Sequence, residues 1–278
     1  MHKWLFILPV LLLASCSQYG KVSFAQSPQV INVSEYDPKE KQRSGSSFTP
    51  FNQKALKDNG SLGLIARTGK GTHIDTKCAE FLVGAHKQNM KLGTYFYVLP
   101  NISSSAQAHR YINRLKQIKA KYPFLDEKVL LVADFDTKCS TYQMTTFLKE
   151  VKKLTGVKPV VYLENGDAIR NTLKYASSKD KSFLRSHPYW LALYSTNHPK
   201  YKTPEQLVKA TGVWNTWAMW QYAGVWWENG RSKPHYYRGG NWQTPAYFGN
   251  LSQPSERNGF NGSEAELYTF WSKHSWAW

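Results

Sequence analysis

The stretch Val129-Leu-Leu-Val-Ala-Asp-Phe-Asp-Thr-Lys-Cys-Ser140 decides how the rest of the chain is read. Five small or apolar residues run into Asp134, and Asp136 follows after one phenylalanine. A near-continuous apolar run is the mark of a strand buried on both faces, as in a parallel sheet covered by helices. Strand residues two apart share a face, so the two carboxylates project together, with Cα atoms about 6.5–7 Å apart. At the C-terminal end of a barrel strand they occupy the place where barrel enzymes keep their chemistry. Two acids that close raise each other's protonation cost, which yields one acid and one base or stabiliser. Glycoside hydrolysis uses such a pair. The plainer reading makes one aspartate the cap of the next helix and the other a solvated side chain.

On either side, short β-rich runs alternate with helical patterns. Strands are expected at 29–34, 61–68, 91–98, 128–136, 158–164, 189–195 and 215–223, and helices at 76–88, 104–122, 141–155 and 167–175. No G-x-G-x-x-G or P-loop falls where a strand meets a helix, which disfavours a dinucleotide or ATP enzyme. The forty residues after Ala223 are rich in Gly, Pro and aromatics and lack helical periodicity. An α/β barrel that loses its helices in the last third fits this better than an open doubly wound sheet.

The N-terminus reads as an export signal: a basic start at Lys3, then an apolar run from Trp4 to Ala14, too short to span a bilayer. Leu13-Ala14-Ser15-Cys16 resembles a bacterial lipobox, with Cys16 as the acylated first mature residue; an ordinary signal peptide with a chance cysteine is the alternative. Residues 1–15 are then the signal, 16–28 a tether and 29–278 the barrel. In lipoproteins of this kind Ser17 after the cysteine implies sorting to the outer membrane, where the protein is expected to face the periplasm. The formal charge of +17 steers the chain toward polyanions, and an exported chain meets cell-wall polymers before nucleic acid. Cys78 and Cys139 are open to a disulfide or to two free thiols. No histidine spacing suggests a metal site. Trp214, Trp217, Trp220, Trp226, Trp227 and Trp242, with Tyr222, Tyr236, Tyr237 and Tyr247, offer faces for sugar rings, about half of them expected to be packing.

The order of motifs resembles glycoside hydrolase family 25, the Chalaropsis-type lysozymes (N-acetylmuramidases). "INVSEY" is similar to the family's Ile-Asp-Val-Ser opening, "LIARTGKGTHID" to its second strand, and "GTYFYV" to its Gly-x-Tyr-His-Phe strand. "VADFD" resembles the Asp-x-Glu strand, and "VVYLE", "YWLALYS" and "AMWQYA" the later strands. "ERNGFNGSEAELYTFW" resembles the closing Asp-x-Asn-x-Phe segment. The resemblance implies a TIM-like barrel of five β/α units followed by three strands lacking full helices. It also implies cleavage of the β-1,4 bond between N-acetylmuramic acid and N-acetylglucosamine, without metal or cofactor, by a chain expected to be a monomer.

Four positions depart from the family pattern: Asn32 for the opening Asp, Phe96 for the histidine, Asp136 for the catalytic Glu and Glu256 for the closing Asp. Carried over, Asp136 is the proton donor and Asp134 the stabilising carboxylate, with Asn32 and Glu256 completing the floor. Expected sugar contacts are Tyr95, Tyr162, Trp190, Trp220, Gln221 and Tyr222. Asp75 lines the cleft or caps the helix at Thr76, and Arg67 pairs with a barrel carboxylate or is solvated. Asp136 reaches one methylene less far than Glu, and positioning errors near 1 Å cost on the order of a hundredfold. The alternative function is a weakened barrel that binds peptidoglycan.

Overall fold

The computed structural model describes residues 27–37, 53–193, 204–229, 231–236, 238–239, 242–243, 247–251 and 254–278. The signal segment, Cys16 and most of the tether lie outside the described residues. Eight strands close into a ring: β1 (Gln29–Val33), β2 (Ser61–Lys70), β4 (Lys91–Tyr97), β5 (Lys128–Asp134), β6 (Val160–Glu164), β7 (Tyr189–Ala192), β8 (Met219–Glu228) and β12 (Glu256–Phe260). All neighbours in the ring are parallel except β12, which runs antiparallel to both β8 and β1. The result is the α/β barrel expected from the sequence.

Alternation along each strand sorts its side chains into two cores. From β5, Leu130 and Val132 point into the barrel, joining Val30, Ile65, Val160, Met219 and Phe260. Val129, Leu131 and Ala133 point outward under the helices. This double burial explains the unbroken apolar run.

The outer layer comprises α1 (Gln53–Asp58), α2 (Cys78–Lys87), α3 (Ser104–Lys121), α4 (Thr141–Thr155), α5 (Asp167–Lys174), α6 (Ser178–Arg185) and α7 (Pro204–Ala210). Helix α4 opens with a reciprocal capping box between Ser140 and Gln143 and stops at Gly156, whose φ of 76° suits glycine. A short strand β3 (His73–Ile74) folds back on β2. After β8 the chain turns into a hairpin with β9 (Arg231–Tyr236), then the small pair β10 (Arg238–Gly239) and β11 (Trp242–Gln243). Helical periodicity is absent there because the chain makes strands.

Helix α8 (Glu264–His274), started by a Ser263/Glu266 capping box, closes the N-terminal end of the barrel. It buries Leu267 and Trp271 among the barrel-interior residues, and the Trp271 indole donates to the Leu92 carbonyl at 2.7 Å. Glycines make room for that ring: a Cβ on Gly63 would lie 2.9 Å from it and one on Gly93 3.1 Å. The chain ends on β13 (Ser275–Ala277), antiparallel to the start of β5. Cys78 and Cys139 are buried free thiols, so the disulfide alternative is not realised.

Candidate active site

The C-terminal ends of the barrel strands surround an open cleft with an interior of about 160 Å³. Asp134 and Asp136 enter it from β5, Asn32 from β1, Arg67 from β2, Tyr95 from β4, Tyr162 from β6, Trp190 from β7, Gln221 from β8 and Glu256 from β12. Strand-end register and two-residue alternation bring these positions together from eight strands.

The floor is a hydrogen-bond network that fixes its own orientation. Asn32 donates its amide to Glu256 Oε2 at 2.5 Å, and its carbonyl accepts from Gln221 at 3.1 Å and Asn258 at 2.8 Å. Asn258 also accepts from the Trp190 indole at 2.9 Å, and Gln221 accepts from the Tyr162 hydroxyl at 2.5 Å. Trp190 and Tyr162 meet edge-on with centroids 4.9 Å apart. Glu256 points into the cleft and supplies a carboxylate beside the amide at position 32.

Asp134 is 5 % exposed and accepts the backbone N–H of Asp136 at 2.9 Å. Burial, then the charge of Asp136, pushes the Asp134 carboxyl well above the ordinary range, against the pull of Arg67. Asp136 lines the cleft at its exposed mouth, with part of its carboxyl's surroundings taken up by protein. That partial burial, with the negative charges of Glu164 and Glu256, pushes it up to about 7. The pair therefore holds a proton at neutral pH, and Asp136 is the member that faces the open cleft.

Arg67 is held by Asp75, both of whose oxygens accept from its Nε at 3.0 and 2.9 Å. Burial works against its charge, but Tyr95 and Asp75 outweigh it and the guanidinium stays protonated. Asp75 is pushed the other way by its own burial, upward despite Arg67. The Nε–H shared by both oxygens and the Glu35 N–H at 3.0 Å favour the ionised pair.

Three expected sugar contacts do not face the cleft. Trp220 and Tyr222 flank the inward-facing Gln221, so alternation turns both outward into the core beneath the helices. Trp220 donates to the Leu193 carbonyl at 2.9 Å and Tyr222 to Gln29 Oε1 at 2.5 Å. Asp75 is fully buried behind Arg67 rather than lining the cleft, and it does not cap a helix, since α2 begins at Cys78 with Lys77 as its N-cap. Trp214 and Trp217 are also buried packing, whereas the side chains of Trp226, Trp227 and Trp242 lie outside those described.

Tyr97, Tyr36 and Ser34 line the cleft without having been singled out from the sequence. Tyr97 was recoverable, because it follows Tyr95 by two residues on a strand; its hydroxyl donates to the Asp136 carbonyl at 3.4 Å. Asn258, the hub of the floor, carried no signal beyond its place in the closing segment. Glu35, His73 and Asp75 bring potential ligand atoms within 4.8 Å of one another. Arg67 already supplies the positive charge against Asp75 and Glu35, at 2.9 and 3.8 Å, so the group is an ion-pair cluster rather than a cation cage.

A closed mixed barrel with paired acids at its C-terminal mouth is an arrangement that carbohydrate-cleaving barrels use. The model of glycosyl hydrolases family 25 matches residues 31–230, and the chain belongs to that family. Among solved structures, a lysozyme from Streptomyces coelicolor matches at 19 % identity and a TM-score of 0.58, covering 88 % of this chain and 97 % of its own. A family 25 lysozyme from Aspergillus fumigatus matches at 18 % and 0.56, over 88 % and 99 %. The spore cortex lytic enzyme SleM of Clostridium perfringens matches at 18 % and 0.59, over 86 % and 69 %. At these identities the likeness establishes the fold. No curated protein sequence matches the chain. Glu256 lies beyond the family match and enters the cleft through the β12–β1 pairing.

Proposed function

We propose that the protein is a peptidoglycan hydrolase that cleaves the β-1,4 bond between N-acetylmuramic acid and N-acetylglucosamine. The observation that carries this reading is the acid pair at the cleft mouth, Asp134 buried and Asp136 exposed beside it, with Asp136 pushed up to about 7. In this reading Asp136 gives its proton to the glycosidic oxygen as the bond to the anomeric carbon breaks. Asp134, 5 % exposed below it, stabilises the positive charge that develops on the sugar, directly or by orienting the substrate's acetamido group. Tyr95, Tyr162 and Trp190 offer ring faces and edges to the sugar, while Gln221 and Glu256 accept from its hydroxyls. The family 25 relatives whose names describe lysozymes and a spore cortex lytic enzyme support the substrate class.

The test is release of reducing ends from purified peptidoglycan by the mature protein, with Asp136→Asn as control. Activity that disappears in the variant is the expected result. Binding to peptidoglycan without any release would replace the hydrolase by a peptidoglycan-binding barrel. We further propose that acylation of Cys16 holds the enzyme on the periplasmic face of the outer membrane. Incorporation of labelled fatty acid that persists in Cys16→Ala would refute the anchor.

A further inference from the structure

The end of the barrel opposite the cleft carries a side-chain pattern of its own. Strands β1, β2, β4 and β5 start there, in the register Gln29 to Ser61, Gly63 to Lys91 and Gly93 to Leu130. Residues 122–127, which lead from α3 into β5, lie at this end and hold Phe124 54 % exposed. The loop is pinned in that shape: Lys119 Nζ donates to the carbonyls of Pro123 and Leu125, at 3.1 and 2.6 Å, on either side of the phenylalanine. Tyr122 props the ring edge-on at 6.0 Å between centroids, and His86 at 5.7 Å. Trp278 joins the same surface, donating its indole N–H to the Asp126 carbonyl at 2.7 Å, with Lys119 Nζ 5.8 Å from its ring. Lys91 Nζ stands 5.2 Å over Tyr268 of α8.

The charge around these rings is positive. Lys121 and Lys128 flank the loop and are exposed, and the last turns of α2 and α4, just before the starts of β4 and β6, add Lys87, Lys152 and Lys153. Cations in a last turn complement the helix dipole. That accounts for those three, but not for Lys91 and Lys128, which open strands, nor for an exposed phenylalanine among them. Of the loop's two acids, Asp126 is engaged by His86 at 2.7 Å, which leaves Glu127. We propose that this end of the barrel rests on an anionic membrane surface, with Phe124 entering the headgroup layer and the lysines around it facing lipid phosphates. Aromatic rings at one level with ammonium groups suit that boundary, where the rings leave water and the charges reach phosphate. The chain also enters the barrel at this end, through Gln29 opposite Ser61, so an acyl group on Cys16 would draw the same end to the bilayer and leave the cleft facing away, toward the wall. The proposal rests on the anchor reading for its place in the cell, whereas the surface acts without it.

The test uses the mature chain with Cys16→Ala, so that no acyl group contributes. It should sediment with vesicles of phosphatidylethanolamine and phosphatidylglycerol, stay in solution with phosphatidylcholine alone, and come off the anionic vesicles as salt screens the charges. Lys121→Gln/Lys128→Gln should weaken vesicle binding about twentyfold, or about fivefold for each lysine, and Phe124→Ser about tenfold. Lys138→Gln removes an exposed lysine beyond the cleft end of the same β5. The seven residues of that strand, at about 3.3 Å each, exceed the Debye length of about 10 Å at 0.1 M salt, so this control should lose less than about twofold. Absence of binding to the anionic vesicles overturns the proposal. So does a fivefold loss in Lys138→Gln, which would make the attraction a property of net charge rather than of this face. Purified peptidoglycan that binds through Lys121 and Lys128 while vesicles do not would assign the face to the wall instead. Vesicle binding by a chain whose Cys16 takes up no fatty acid would sink the anchor reading and leave this one standing.

Discussion

Arg67→Met removes the guanidinium against which both oxygens of Asp75 are held, at 3.0 and 2.9 Å. Asp75 is 0 % exposed and Arg67 7 %, so water does not replace the lost partner. One hydrogen bond to Asp75 survives, from the Glu35 N–H. Removing one member of a buried pair costs about 3–5 kcal/mol, because the remaining charge is stranded. The penalty depends on pH in a definite direction. Burial already pushes Asp75 above its ordinary value, and losing Arg67 pushes it further. The unfolded carboxyl ionises near pH 4 while the folded one resists, so the native state binds more protons above that point and stability falls as pH rises. The loss is expected to be small at pH 4 and full at pH 7.

Arg67→Met/Asp75→Asn separates the stranded charge from lost packing. The asparagine still accepts from Glu35, and no charge is left behind. The double variant should recover about 2 kcal/mol or more relative to Arg67→Met at pH 7. Urea unfolding followed by far-ultraviolet circular dichroism at both pH values supplies the four free energies of the cycle. A single-variant loss below about 1 kcal/mol at pH 7, within the range of exposed ion pairs, would refute the reasoning. So would a double variant no more stable than the single one.

Two further outcomes follow from the same cleft. Asp136→Asn should raise the melting temperature at pH 8 and leave it nearly unchanged at pH 4: with its folded value near 7, the wild-type acid loses native stability as pH climbs from about 4 to 7. Equal melting temperatures at pH 8 would contradict the raised value. Trp190→Phe and Trp220→Phe should separate ligand binding from packing. The first loses the indole bond to Asn258 in the cleft floor and weakens binding to soluble glycan fragments. The second loses a bond to the Leu193 carbonyl beneath the helices and lowers stability with fragment affinity intact; calorimetric titration of both distinguishes them.

The fold was legible because burial on two faces writes itself into composition. The 128–136 run had to be a covered strand, and its pairing with similar runs gave the barrel. The acid pair was legible for the same reason, since a strand end is one of the few places a chain leads buried residues into solvent. The aromatic contacts were only half legible. Trp190 and Trp220 look alike in a linear reading, and only register against Gln221 reveals that one faces the cleft and the other the helices. Helix α8 was hidden for a different reason: it plugs the barrel end with Leu267 and Trp271 instead of laying a regular stripe on the outside.

Asn32 and Glu256 act as one unit in the cleft floor. Position 32 sits 2.5 Å from the Glu256 carboxylate, a separation at which two carboxylates must share a proton. An amide there donates to Glu256 without that demand, and its carbonyl is free to take both Gln221 and Asn258. Those two acceptances fix which way the amide points, because its nitrogen could not accept from either donor. Glu256 reaches from β12 into the floor, where the Asn32 amide holds its carboxylate. The floor therefore keeps one firmly placed carboxylate and leaves the shared proton to Asp134 and Asp136. Two carboxylates competing for a proton at the floor would have set a second coupled pair against the first, within a cleft where burial already raises the cost of every charge.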